Sequence, residues 1–249
     1  MPQLPEEIEA MRAAEGGAEK SKYVRRMFSE IAPRYDLLNH VLSLNIDRAW
    51  RRAAIRELRI ERSPAGTYLD ICAGTLDVST MIAASHPSAK IIGADFAEPM
   101  LRAGVAKIRG KNIAPVTADA LLLPLQQGSV SGAIVAFGIR NVANLDQGLR
   151  EVHRVLSPGS RFVILEFSTP RSRVVNSAYQ LYFNHILPRI GGIVSGHRTA
   201  YSYLPKSVAN FPATNELAKR MTAAGFSNVS WQSYTMGIVA IHIGEKPIS

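Results

Sequence analysis

The stretch "YLDICAGTLDVS", Tyr68 to Ser79, decides the fold. Its first residues are apolar except for Asp70, as in a strand covered on both faces. Gly74 then supplies a turn. "LDVSTMIAASH" continues with helical spacing and stops near Pro87. Strand, glycine turn and helix in that order begin a nucleotide-binding unit. Leu76 is the discordant residue, because a third small residue is expected there.

The same alternation runs outward from this stretch. "KIIGAD" reads as a strand and "EPMLRAGVAKIRG" as a helix closed by Gly110. "IAPVTAD" and "SGAIVAFG" are strands, "LDQGLREVHRVLSPG" a helix with a Pro-Gly stop, and "SRFVILEF" another strand. "TNELAKRMTAAGF" is a helix, and "SNVSWQSYT" with "IVAIHIGEKP" a closing antiparallel pair. The expected fold is α/β, a doubly wound, seven-stranded, mostly parallel sheet. A helical cap over residues 21–62 precedes it. An insertion over residues 169–212 precedes the last two strands. Residues 1–20 read as a flexible tail, and residues 21–249 as a single domain. In the cap, Val24, Met27, Phe28 and Ile31 predict one helix, ended by Pro33. Leu37, Leu38, Val41 and Leu42 predict a second, and a third starts with Asp47 as N-cap.

Composition sets limits. The chain has 249 residues, 47% of them apolar, enough for a sizeable core. No apolar run is long enough to span a membrane. The acidic N-terminus lacks the apolar core of a secretory signal. The single Cys72 excludes an internal disulfide and a multi-cysteine zinc site, and it suits a reducing, cytoplasmic setting. No His/Cys/Asp cluster has metal-ligand spacing. The net charge of +9 is uneven. From Lys20 to Arg62 there are 11 Lys/Arg against 5 Asp/Glu, and from Phe167 to Asn215 there are 5 Lys/Arg and no acid. Nucleic acid, an anionic membrane and a solvated basic face all fit that asymmetry.

Ligands of a doubly wound sheet sit outside the carboxyl ends of its strands. Asp70, Cys72, Gly74 and Thr75 lie at that edge. Asp95 ends the second strand, 21 residues after Gly74, where an acid accepts hydrogen bonds from ribose hydroxyls. Asp119 and Ala120 end the third strand, on the adenine side. The loop has neither a run of glycines nor a Gly-Lys-Ser/Thr ending, so it is poorly made for pyrophosphate. Asp70 and Asp77 flank it, which suits a ligand bearing an ammonium and a sulfonium. That favours S-adenosylmethionine over NAD or ATP.

Taken together, "LDICAGTLD", "GADFAEPML", "ADALLLPL", "AFGIRNV", "LREVHRVLSPGSRFVILEFSTP" and "MFSEIAPRYDLLNHVLSLNIDRAWRR" resemble the ubiquinone/menaquinone biosynthesis C-methyltransferase family. "GHRTAYSYLPKSVANFP" is similar to its substrate-side "YxYLxxS" segment. The resemblance spans roughly Lys20 to Pro247. It implies a Rossmann-like class I methyltransferase, S-adenosylmethionine as cofactor and a prenylated hydroquinone as substrate. It implies cofactor-binding roles for Asp70, Gly74, Thr75, Asp95, Phe96, Asp119, Ala120 and Ala136. Ala136 stands where many members have serine, and Leu76 where many have glycine. It implies catalytic roles for Arg140, as the stabiliser of a ring oxyanion, for Asn141, which orients the ring or a water, and for Tyr35, which closes over the ring. His153 reads as structural, and His185 and His197 as surface residues of the insertion. The basic, aromatic insertion fits an anionic membrane surface or a lid. Naphthoquinone and benzoquinone acceptors both stay open, as does a homodimer. An RNA methyltransferase and a non-catalytic cofactor-binding protein are the competing classes; no added RNA-binding module is present.

Overall fold

The computed structural model describes residues 18–35, 43, 45–170, 172, 175, 177, 181 and 198–248. The expected second cap helix, His185, His197 and most of the insertion lie outside the described residues or side chains.

The chain enters through α1 (Ala18–Ile31) and α2 (Ile46–Glu57). Five parallel strands follow, interleaved with helices: β1 (Thr67–Ile71), α3 (Asp77–Ser85), β2 (Lys90–Asp95), α4 (Glu98–Gly104), β3 (Ile113–Thr117), β4 (Val130–Ala136), α5 (Leu145–Val155) and β5 (Leu156–Phe167). Then come α6 (Arg198–Ala209), α7 (Thr214–Ala223), β6 (Ser227–Tyr234) and β7 (Val239–Glu245). The sheet order is β3-β2-β1-β4-β5-β7-β6, with β7 antiparallel to both neighbours. This is the doubly wound, seven-stranded sheet that the alternation predicts.

The two-sided burial explains why the central strands are apolar without a break. Leu69, Ile71, Ala133, Val135, Phe162 and Ile164 face one layer, packing with Leu149 and Val152 of α5 and Leu217 and Met221 of α7. Their sequence neighbours Tyr68, Ile134, Val163 and Leu165 face the other, with Trp50 and Ile55 of α2 and Val78 and Ile82 of α3. Successive strand side chains point to opposite faces, so both sets must be apolar.

Two local expectations are corrected. Helix α1 already begins at Ala18, so a tail ending at residue 20 cuts into it. Asp47 is not an N-cap: left-handed Asn45 holds that position, while Asp47 lies in the first turn, accepts from Ser43 Oγ at 2.7 Å and pairs with Arg51 at 3.3 Å. Asn144 caps α5, its side chain accepting from the Gln147 amide.

Candidate active site

Strands β1 and β4 are adjacent, with β2 on the far side of β1. The crossovers therefore diverge at their carboxyl ends, and a crevice opens there. The backbone leaves both strands abruptly. Cys72, Gly74 and Leu76 have φ of 53°, 54° and 66°, and Phe137 has 61°. Such left-handed non-glycine residues cluster where a site is being shaped.

A cavity, part of it open to solvent, occupies the crevice. Gly74, Asp95, Phe96, Asp119, Ala120, Ala136, Asn141 and Tyr35 all line it. The structure thus brings together eight of the residues that the sequence nominates. Helix α1 roofs the cavity. Tyr23, Val24, Met27 and Ile31 bury one face of this helix, and Phe28 and Tyr35 pack with Phe96, Ala97 and Met100. Tyr35 meets Phe28 edge-on at 5.8 Å. Ser21, Phe28, Met100, Leu123 and Val142 also line the cavity and were not nominated. Phe28 sits on a helical stripe that reads as ordinary core, and nothing local distinguishes it.

Asp95 organises the Gly74 side of the cavity. Its Oδ2 accepts from the Gly74 amide at 2.9 Å and its Oδ1 from the Ala97 amide at 2.8 Å. Burial raises its pKa, and the two amides act against that shift. Gly74 is bare toward the cavity: a Cβ there would come within 3.3 Å of Met100 Cε and 3.8 Å of Tyr35. Its left-handed conformation also favours glycine. The cavity's charged lining consists of Asp95 and Asp119, with no Lys or Arg among the described residues. An acidic wall, a bare glycine and an apolar slot of Phe96, Ala120, Leu123 and Val142 fit S-adenosylmethionine. They fit a pyrophosphate poorly.

Three nominated residues stand elsewhere. Asp70 does not line the cavity. Its buried Oδ2 accepts from the Ser79 amide at 2.9 Å and Ser79 Oγ at 2.6 Å, tying the first turn of α3 to β1. Burial pushes its carboxyl up to about 7. Thr75 is buried behind the loop. Arg140 also stands outside the cavity lining. Its Nη1 donates to Glu166 Oε1 at 2.7 Å and to the Phe137 carbonyl at 2.5 Å, bracing the turn after β4. Its guanidinium lies 5.5 Å over the Phe167 ring. Asp77 is also withdrawn from the cavity, paired with Lys107 at 2.6 Å and near Arg51 at 3.6 Å. The acidity expected from Asp70 and Asp77 comes instead from Asp95 and Asp119.

Leu76 settles the opening anomaly. It is fully buried and outside the cavity lining. Its side chain fills the space that a Cβ on Gly93 would take, and it reaches the Gly104 position. The leucine packs helix to sheet and leaves the cofactor cavity clear.

Asn141 faces the cavity from the other wall. It sits on the short turn Ile139–Asn141 after β4. Its Oδ1 accepts from the Tyr203 hydroxyl at 3.2 Å. Burial and the carboxylates of Asp95, Asp70, Glu166 and Asp119 raise Cys72, which also lines the cavity, well above the ordinary thiol range. His153 lies edge-on to Phe226 at 5.1 Å, away from the cavity.

Residues 17–246 match the ubiE/COQ5 methyltransferase family. The demethylmenaquinone methyltransferase of Thermus thermophilus is 46% identical over 223 residues, covering 89% of this chain and 100% of that protein. The ubiquinone/menaquinone biosynthesis C-methyltransferase of Geobacter sulfurreducens is 45% identical, covering 92% and 90%. Among solved structures, the [4+2]-cyclase SpnF shares the fold with a TM-score of 0.70 at 15% identity, over 92% of this chain and 97% of that one. An S-adenosylmethionine-dependent methyltransferase from Thermotoga maritima does so at 0.59 and 18% identity, over 89% and 98%. With a match over nearly its whole length and its site residues gathered at the switch point of the sheet, the chain belongs to the ubiE/COQ5 methyltransferase family.

Proposed function

We propose that this protein C-methylates a reduced, prenylated quinone precursor, converting demethylmenaquinol to menaquinol. One observation carries the reading: a single cavity at the carboxyl edge of the sheet is lined by Gly74 and Asp95, suited to the cofactor, by the aromatic rings of Phe28 and Tyr35, and by the Asn141 amide. The names of the Thermus and Geobacter relatives support the substrate class.

When bound, S-adenosylmethionine supplies a methyl group on a positively charged sulfur. The protein positions its two ligands. Asp95 would accept from the ribose hydroxyls, Phe96, Ala120 and Val142 would clasp the adenine, and Ala136 and the bare Gly74 would leave room for the methionine end. Phe28 and Tyr35, packed beside Phe96 and Met100, would hold the flat ring, and Asn141 would bond its oxygen from the turn after β4. A ring carbon is a weak nucleophile until the neighbouring hydroxyl gives up charge, and a donor on that oxygen favours its ionisation. The methyl would pass to the ring carbon as its bond to sulfur breaks, and the ring C–H proton would leave to solvent through the open part of the cavity.

A prenylated substrate resides in a membrane. Among the described residues, no helix is long and apolar enough to cross one. The acid-free, basic stretch from Phe167 to Asn215 supports peripheral contact with an anionic surface, in a reducing cytoplasmic setting. Co-sedimentation with anionic but not neutral vesicles tests that contact. The function itself is tested with methyl-labelled S-adenosylmethionine and, in parallel, reduced demethylated naphthoquinol, reduced benzoquinol precursor and RNA. Label on a ring carbon of the naphthoquinol is expected. Label only on the benzoquinol moves the substrate, and label only on RNA sinks the reading.

A further inference from the structure

The geometry points to Tyr203 as a positioning residue that sets which face of the Asn141 amide meets the substrate. The inference rests on the function proposed above. Tyr203 comes from α6, 62 residues from Asn141 in sequence. It is 2% exposed, and its ring packs on Tyr23 of α1 at 5.6 Å. Two elements from opposite parts of the chain therefore meet over the Asn141 turn.

The backbone of that turn is already held. The Asn141 amide donates to the Gly138 carbonyl, and Glu166 takes both Arg140 Nη1 and, at 3.4 Å, the Arg140 amide. What remains free is the terminal torsion of the Asn141 side chain. That torsion is broad and nearly two-fold, and a half-turn exchanges a carbonyl for an amino group. The two states have opposite chemistry. One offers two N–H donors to the cavity, and the other offers a lone-pair oxygen that repels an oxyanion.

Tyr203 selects between them. Burial pushes its hydroxyl up to about 12, with the nearby Arg140 guanidinium acting against the shift and Tyr23 and Glu166 with it. A buried hydroxyl proton needs an acceptor, and among the described residues Asn141 Oδ1 is the one it meets, at 3.2 Å. The Asn141 amino group makes no bond to any other described side chain, and the residue lines the cavity. Its donors face the space that the ring oxygen takes.

The test uses Tyr203→Phe, which removes one oxygen and keeps the ring on Tyr23. With demethylated naphthoquinol, kcat should fall roughly ten- to a hundredfold, as expected for a misoriented reactive group. KM and cofactor affinity should stay within about twofold. Asn141→Ala should lose at least as much. The double variant should be no worse than Asn141→Ala alone, because Tyr203 acts only through that amide. Unchanged kcat, or losses that add, overturns the inference. Asn141→Asp gives an independent check, since it keeps the acceptor for Tyr203 and removes the donors. It should be as slow as Asn141→Ala, and wild-type turnover in it overturns the inference. A readout that needs no turnover separates this from failure of the functional reading. In protein labelled with ¹⁵N-asparagine, the Asn141 side-chain amide signal is assigned by its loss in Asn141→Ala. In Tyr203→Phe that signal should shift and its exchange with water should quicken. An unmoved signal overturns the inference even where no quinol is methylated.

Discussion

Arg140 Nη1 lies 2.7 Å from Glu166 Oε1, with the two side chains 8% and 2% exposed. This pair ties the turn after β4 to the end of β5 from behind the cavity. Removing one partner strands a buried charge, which commonly costs about 3–5 kcal/mol. Arg140→Ala should therefore lower the free energy of unfolding by about that much, and Arg140→Ala with Glu166→Leu should recover a good part. Chemical denaturation measures both. A stable Arg140→Ala that loses only kcat would return the arginine to the substrate.

Asp95 has a different burden. Its two oxygens hold the Gly74 and Ala97 amides while facing the cavity. Asp95→Ala should weaken S-adenosylmethionine binding by about 2–3 kcal/mol, the scale of a lost charge-assisted pair of bonds. Titration calorimetry on the folded variant reads this directly. Undiminished affinity would remove Asp95 from the cofactor site.

Leu76 separates packing from strain. Its burial against Gly93 and Gly104 predicts that truncation to Ala costs about 2–5 kcal/mol. Its φ of 66° is strained for Ala and easy for Gly. Leu76→Gly should thus be more stable than Leu76→Ala by about 1 kcal/mol, the left-handed penalty outweighing the usual cost of glycine. Cofactor affinity should match wild type in both. Tighter binding in Leu76→Gly would mean that the leucine crowds the cavity after all.

Asp70 makes stability depend on pH. Its carboxyl is raised by burial to about 7 in the folded protein, against about 3.9 in an unfolded chain. Between those values the native state holds the extra proton, so stability falls as pH rises from about 4 to about 7. Above that range the full penalty of a buried carboxylate is present. Asp70→Asn keeps an acceptor for the Ser79 amide and removes the titration. Its stability relative to wild type should rise between pH 5 and pH 8. Parallel curves for the two proteins would refute the buried titration.

The sheet was legible in the sequence because its signals are local. A strand buried on both faces must be apolar at every position, and "SGAIVAFG" and "RFVILEF" meet that demand without reference to any neighbour. Turn chemistry at Gly74 and Gly110 marked two of the breaks, whereas the helix read through Phe226 ends at Ala223. The positions of Gly74, Asp95 and Asp119 followed from the same periodicity, Asn141 came from the family resemblance, and the order of the strands gathered all four at one edge.

Pairing was not legible, because it joins residues far apart in the chain. Arg140 has the same permanent charge whether it faces a substrate or Glu166, which stands 26 residues on. Tyr203 reads as one aromatic among many until α6 brings its hydroxyl to Asn141. Asp77 looks like part of an acidic loop until Lys107, 30 residues away, claims it. The direction of Leu76 was equally hidden, since a left-handed backbone turns its side chain toward Gly93 and away from the cavity. Residue type and spacing determined where polar groups gather in this protein; the packing of distant elements alone decided which of them are already bound to each other and which still face a ligand.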